Sequence, residues 1–109
     1  VFSDDLNQAK ALLGDYKKAQ ISYYSGNSDL DDFFGLTSCY GHIIGNSSFS
    51  WWAAYLSQNR SNSSALVVYP NAWFYKQWIT QNYDIGMTEW LPVSHKRFEF
   101  FNLDKRKLR

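Results

Sequence analysis

Asn46-Ser47-Ser48-Phe49 places an amide, two hydroxyls and a run of backbone N–H groups where the apolar stretch His42 to Gly45 gives way to a helical pattern. That combination suits an anion. The first turn of a helix leaves its N–H groups without intrahelical partners, and the helix dipole favours negative charge there. Gly45 and Asn46 permit the tight turn that points those groups outward, so a diphosphate would fit. Carboxylates supply a second kind of chemistry: Ser3-Asp4-Asp5 near the amino end, and Asn27-Ser28-Asp29 with Asp31 and Asp32 close behind. A carboxylate accepts hydrogen bonds from the N–H groups of a base. Guanine offers such donors at N1 and at its exocyclic amine.

For these groups to meet, the chain must bring all three segments to one edge, and its hydrophobic patterning predicts that it does. Val1-Phe2 reads as a strand end, and Leu6, Ala9 and Leu13 recur at helical spacing in a helix opened by Asp4-Asp5 and closed by Gly14. Ala19 to Tyr24 reads as a second strand, and Asp29 to Ser38 as a second helix with Leu30, Phe33, Phe34 and Leu36 inward. His42 to Gly45 is the third strand. Ser48 to Ser57 is the third helix, with Phe49, Trp52 and Leu56 on one stripe and Trp51 and Tyr55 on another, a pattern that predicts burial on most sides. After a polar loop from Ser57 to Ser64, the continuous apolar run Ala65 to Tyr69 suits the middle of a parallel sheet and ends at Pro70. Beyond it, Ala72 to Thr80 reads as a short helix, Asn82 to Glu89 as a loop and Trp90 to Val93 as extended chain. The predicted fold class is α/β: a Rossmann-like parallel sheet of four strands with alternating helices, whose right-handed crossovers gather binding groups at the strands' carboxyl ends.

The chain has 109 residues, room for one small domain, and its opening on Val1 reads as a piece cut from a longer protein. Eleven basic against ten acidic residues give a net charge of +1, which excludes the basic footprint of a nucleic-acid binder. Aromatic residues reach 19%, enough to fill a core, line a sugar site or face a partner domain. The lone Cys39 excludes an internal disulfide and a Cys-based metal cluster. His42 and His95 are too isolated to suggest a metal site, and His42 reads as structural or surface. There is no G-x-G-x-x-G and no P-loop, which argues against a dinucleotide oxidoreductase or a P-loop hydrolase. No Ser/His or Cys/His set suggests nucleophilic catalysis. Helix capping competes with binding at each polar segment: Ser3 or Asp4 for the first helix, Asp29 for the second, Ser47 or Ser48 for the third, each cap contributing about 1 kcal/mol. The glycosylation-like triplet at Asn46 is discounted because it is expected to be buried.

Taken together, Val1-Phe2-Ser3-Asp4-Asp5, Asp32 ahead of Cys39, the run from His42 through Asn46-Ser47-Ser48-Phe49-Ser50-Trp51-Trp52 to Leu56, and Tyr69-Pro70-Asn71-Ala72-Trp73-Phe74 carry a resemblance. With the later Asp84-Ile85 and Glu89-Trp90, they resemble the carboxyl-terminal part of bacterial-type α-1,2-fucosyltransferases, glycosyltransferase family 11. The likeness runs over residues 1–93, the expected domain; residues 94–109 form a tail with no recognisable motif.

The resemblance implies an inverting transferase that moves L-fucose from GDP-L-fucose to the 2-hydroxyl of a galactose-terminated glycan, without a metal or other cofactor. It implies a two-domain GT-B scaffold, of which this chain is part of the carboxyl-terminal, donor-binding half. Ser47, Ser48 and the Phe49 N–H, with Asn46, would hold the diphosphate; Asp32 would accept from guanine, with Asp31 as the substitute; Ser3 and Asp4 would border the nucleotide. The family's His-x-Arg motif and its Arg-Gly-Asp-Tyr-like residues have no match here, so the catalytic residues belong to a missing amino-terminal domain. Without that arginine's charge on the departing GDP, this chain is expected to bind nucleotide weakly and not to catalyse. The rival expectation is a non-catalytic nucleotide-binding or interaction module on the same fold. The implied location is a bacterial cytoplasm or the inner membrane's face, with a Golgi membrane as the alternative.

Overall fold

The computed structural model describes residues 1–61, 66–71, 73 and 85–93. Its elements are helix α1 (Leu6–Leu13), helix α2 (Asp29–Thr37), strand β1 (His42–Ile43), helix α3 (Ser48–Ser61), strand β2 (Val67–Pro70) and strand β3 (Leu91–Val93). The expected helix at Ala72 to Thr80 and the tail after Val93 lie outside the described residues.

Capping chemistry sets the first two helices. Asp5, not Ser3 or Asp4, caps α1: its side chain accepts from the Gln8 N–H at 2.9 Å, while Ser3 Oγ accepts from the Asp5 N–H at 3.1 Å. At the other end the Gly14 N–H still reaches the Lys10 carbonyl at 2.8 Å, so the helix closes there as the sequence predicts. Ser28, not Asp29, caps α2. The Ser28 Oγ accepts from the Asp31 N–H at 3.2 Å, and the Asp31 carboxylate in turn accepts from the Ser28 N–H at 3.3 Å, a reciprocal capping box.

The sheet is parallel throughout, in the order β1-β2-β3, with His42 opposite Val67 and Val68 opposite Leu91. This corrects the four-strand expectation at both ends. Val1 and Ser22 to Tyr24 do meet, the Val1 amino group donating to the Ser22 carbonyl at 2.6 Å and the Tyr24 N–H to the Val1 carbonyl at 2.9 Å. One such rung is too short to count as a strand. At the other end, the extended Leu91–Val93 joins the sheet as β3, and its Pro92, which has no N–H to donate, is tolerated on an edge strand. β2 ends at Pro70, as the sequence predicts, with Pro70 as its last residue.

The core gathers Ile44, Ala54, Val67, Tyr69 and Trp90, with Trp51, Tyr55, Trp73 and Ile85 packed against it. α3 meets this core through small side chains: Ala53, Ala54 and Ser57 are buried, whereas Phe49, Trp52 and Leu56 stay exposed at 40%, 52% and 42%. The expected buried stripe is therefore the outer one. Periodicity registers large apolar groups, but close approach to the sheet requires small ones. α3 also continues four residues past Ser57, because the polar Gln58 and Asn59 side chains find partners: Gln58 Oε1 accepts from Trp90 Nε1 at 2.7 Å, and Asn59 Nδ2 donates to the Tyr55 carbonyl at 3.0 Å. Among the described residues no helix is long and apolar enough to cross a membrane.

Candidate functional site

The junction between β1 and α3 has the form its residue types predict. Ile44 still hydrogen-bonds to the Val68 carbonyl at 2.9 Å and buries its side chain, and then the chain turns through Gly45, Asn46 and Ser47, all exposed, into α3. The exposure of Asn46 overturns the expectation that it is buried. Its Nδ2 donates to the Trp73 carbonyl at 3.5 Å, which ties the turn to the segment after β2. The Ser47 carbonyl accepts both the Trp51 N–H and the Ser50 hydroxyl at 3.0 Å. The N–H groups of Ser48, Phe49 and Ser50 thus precede the first intrahelical bond, beside the exposed Ser47 and Ser48 side chains.

α2 flanks this opening. The Phe33 ring meets the Phe49 ring edge-on at 5.2 Å between centroids, so the start of α3 and the middle of α2 are in contact. The two candidate carboxylates next to Phe33 differ sharply. Asp31 is committed to its capping box: the Ser28 hydroxyl at 2.6 Å and then the Ser28 N–H hold its carboxyl below the ordinary aspartate value. Asp32 is half-buried, and its Oδ1 is buried without a hydrogen-bond partner. A buried acceptor left unpaired is costly, so such a group is a natural place for an incoming donor. Ser3 and Asp4 follow a residue that lies against α2. Their neighbour Phe2 stacks on Tyr24 at 4.8 Å and covers Gly35 so closely that an added Cβ would lie 2.9 Å from the Phe2 ring. A chain of contacts, Phe2 on Gly35 and Phe33 on Phe49, therefore links the three segments, although no described hydrogen bond joins Ser3 or Asp4 to the α3 turn.

What sequence reasoning missed lies on the other side of the α3 N-terminus. Ser48, Trp51, Trp52, Trp73 and Ile85 line a cavity of about 260 Å³. The walls are fixed by ring contacts: Trp51 stacks on Tyr55 at 5.4 Å with a 10° interplanar angle, and Trp52 meets Trp51 edge-on at 4.9 Å. Trp51 Nε1 donates to the Ile85 carbonyl at 2.9 Å, closing one wall. Both tryptophans read as core in sequence; Trp51 does pack against the core, and only the small-residue face at Ala53 and Ala54 could have shown that Trp52 turns elsewhere. His42, beneath the junction, is 5% exposed and its Nε2 is buried with no hydrogen-bond partner. Burial lowers its pKa below the ordinary 6.5, partly offset by a hydrogen bond to the Cys39 backbone. It is a structural histidine held neutral.

A parallel α/β sheet with an open, hydroxyl-rich helix N-terminus past a strand end has the arrangement in which α/β proteins commonly bind ligands. Residues 1–93 match the model of glycosyl transferase family 11, and the chain belongs to that family. Among curated proteins it is similar to an α-1,2-colitosyltransferase of Escherichia coli, with 27% identity over 95 residues, covering 85% of this chain and 31% of that protein. It is also similar to the O-antigen biosynthesis glycosyltransferase WbnK of Escherichia coli, 35% identical over 79 residues, covering 68% of this chain and 24% of that protein. The chain thus spans about a third or less of the relatives it matches. No solved structure matches it.

Proposed function

We propose that this chain is the donor-binding part of an inverting, metal-independent α-1,2-fucosyltransferase of the GT-B kind, which moves L-fucose from GDP-L-fucose to a galactose 2-hydroxyl of a glycan acceptor. The observation that carries the reading is the α3 N-terminus, where free N–H groups and the Ser47 and Ser48 hydroxyls open to solvent beside α2. The diphosphate lies there, held by charge-assisted hydrogen bonds from Ser47, Ser48 and the Phe49 N–H, with Asn46 shaping the turn. Asp32 takes the guanine N–H groups. Its unpaired Oδ1 supports that role, and the engagement of Asp31 in the capping box argues against the substitute. Ser3 and Asp4 border the nucleotide. The colitosyl group named for one relative is, like fucose, a 6-deoxy sugar, which keeps the donor within one chemical class. The positive charge that stabilises the departing GDP comes from the remainder of the enzyme, so this chain binds but does not transfer.

Calorimetric titration of the chain with GDP tests the phosphate assignment. We expect saturable binding that weakens about tenfold or more in a Ser47→Ala/Ser48→Ala variant, since each hydrogen bond to a charged group contributes about 1.5–3 kcal/mol. A double variant that binds GDP as tightly as the parent removes the basis of the assignment.

A further inference from the structure

We propose that the tryptophan-walled cavity beside Ser48 is the subsite for the donor's sugar, and that its apolar lining selects a 6-deoxyhexose over a hexose with a C6 hydroxyl. The proposal rests on the diphosphate reading above and adds an occupant to a space that reading leaves empty.

Helical geometry separates the two ends of a nucleotide sugar at this site. Phe49 turns to Phe33 on α2, the side that carries Asp32, whereas Ser48, Trp51 and Trp52 share the adjacent face of α3 and wall the cavity. A diphosphate seated on the first turn of α3 therefore has the carboxylate on one flank and the indoles on the other. The base needs acceptors for its N–H groups, and the cavity's described lining is four apolar side chains and Ser48. With Trp51 Nε1 already spent on the Ile85 carbonyl, the described residues of the lining are poor in free polar groups and carry no charge. The size agrees: about 260 Å³ is below the ~300–1,000 Å³ usual for drug-sized ligands, so it holds one small ring and not a nucleoside. Trp52, 52% exposed yet fixed edge-on against both Trp51 at 4.9 Å and Tyr55 at 5.7 Å, is a preset flat wall that the fold has not covered. The carbon-bound face and C6 methyl of a deoxyhexose bury against such rings without loss. A hydroxyl at C6 leaves water for indole faces that offer it no hydrogen bond in return.

The test compares GDP, GDP-L-fucose and GDP-L-galactose, which differs from GDP-L-fucose only by its C6 hydroxyl, on the 109-residue chain by calorimetry, with Trp52→Ala as the variant. GDP-L-fucose is expected to bind about tenfold tighter than GDP, GDP-L-galactose to lose most of that gain, and Trp52→Ala to bring GDP-L-fucose down to the affinity of GDP. A second readout does not depend on the variant folding: saturation-transfer NMR on the parent chain is expected to be strong at the fucose C6 methyl. If GDP binds but the fucosyl group adds nothing and its methyl receives no saturation, the cavity assignment fails alone. If Trp52→Ala weakens GDP and GDP-L-fucose equally, Trp52 belongs to the diphosphate site and the sugar subsite is overturned. If GDP itself does not bind, the diphosphate reading falls and this proposal falls with it.

Discussion

The two parts of this molecule on either side of His42 are made helical by different means. In the later part, α3, β1 and β2 pack around one core: among the described residues Ile44, Ala53, Ala54, Val67, Tyr69 and Trp90 are the buried apolar ones, and none of them precedes β1. In the earlier part, α1 has both ends satisfied, by Asp5 and by the Gly14 N–H, yet buries no residue at all. Its Leu12 is 78% exposed and Tyr16, just beyond it, 55%. α2 stands between, capped by its own Ser28–Asp31 box and touching α3 through Phe33. Caps and propensity can outline a short helix, but helices below ~12–15 residues are marginal without packing. The part that holds the candidate diphosphate turn is therefore the part that tertiary packing fixes.

The largest effect belongs on the packed side. Trp90 is 4% exposed, contacts the rings of Trp51 and Tyr69 at 5.5 and 6.0 Å, and donates to Gln58 at 2.7 Å, so it ties β3's entry to both α3 and β2. Truncation Trp90→Ala is expected to cost about 3–5 kcal/mol, measured as a shift in the urea unfolding midpoint. That is a large share of the ~5–15 kcal/mol of an ordinary domain. A loss under about 1 kcal/mol would mean that the core does not depend on this junction, and the contrast between the two parts would dissolve.

The contrast also explains what the sequence could disclose. Residue types and spacing were enough for α1, α2, the apolar β2 and the turn at Asn46-Ser47-Ser48, since caps, periods and turn chemistry are local. Which face of α3 turns inward was not, because Ala53 and Ala54 carry a weaker hydrophobic signal than Phe49, Trp52 and Leu56. The same misjudgement hid the cavity: Trp51 packs against the core as expected, but Trp52 looks like core until the small residues are known to take that place. Strand β3 was visible as extended chain, but its parallel pairing with β2 depends on contacts more than twenty residues apart, Val68 with Leu91. The choice between Asp31 and Asp32 also waited on geometry, since only the observed box at Ser28 shows which carboxylate is engaged.

A smaller effect tests the same core through protons. His42 is buried and its pKa lies below 6.5, chiefly because burial disfavours the charged ring. The unfolded chain, with an ordinary histidine, takes up a proton near pH 6.5 before the folded chain does. Folding is therefore favoured above that pH, and stability falls as the pH drops from about 6.5 towards the folded value. Thermal or urea midpoints between pH 7.5 and 5 are expected to decline in the parent and to decline less in His42→Gln, so that the difference between the two curves narrows on acidification. A constant difference across that range would place His42 in a solvated site and weaken the claim that β1 is sealed.

The smallest effect belongs on the unpacked side, and it is the most direct check on the comparison. Leu12 sits in α1 with 78% of its surface in water and no buried neighbour on its own helix. Replacing it with Ala removes little buried area, and Ala is the better helix former, so Leu12→Ala is expected to change stability by no more than about 0.5 kcal/mol in either direction. Far-ultraviolet dichroism and the urea midpoint measure it alongside Trp90→Ala. If the loss instead exceeds about 1 kcal/mol, Leu12 is covered in solution and α1 belongs to a packed surface after all. The difference between the two variants, several kcal/mol against almost none, then measures how unevenly packing is shared between the helix beside Asp4 and the sheet beneath Ser47.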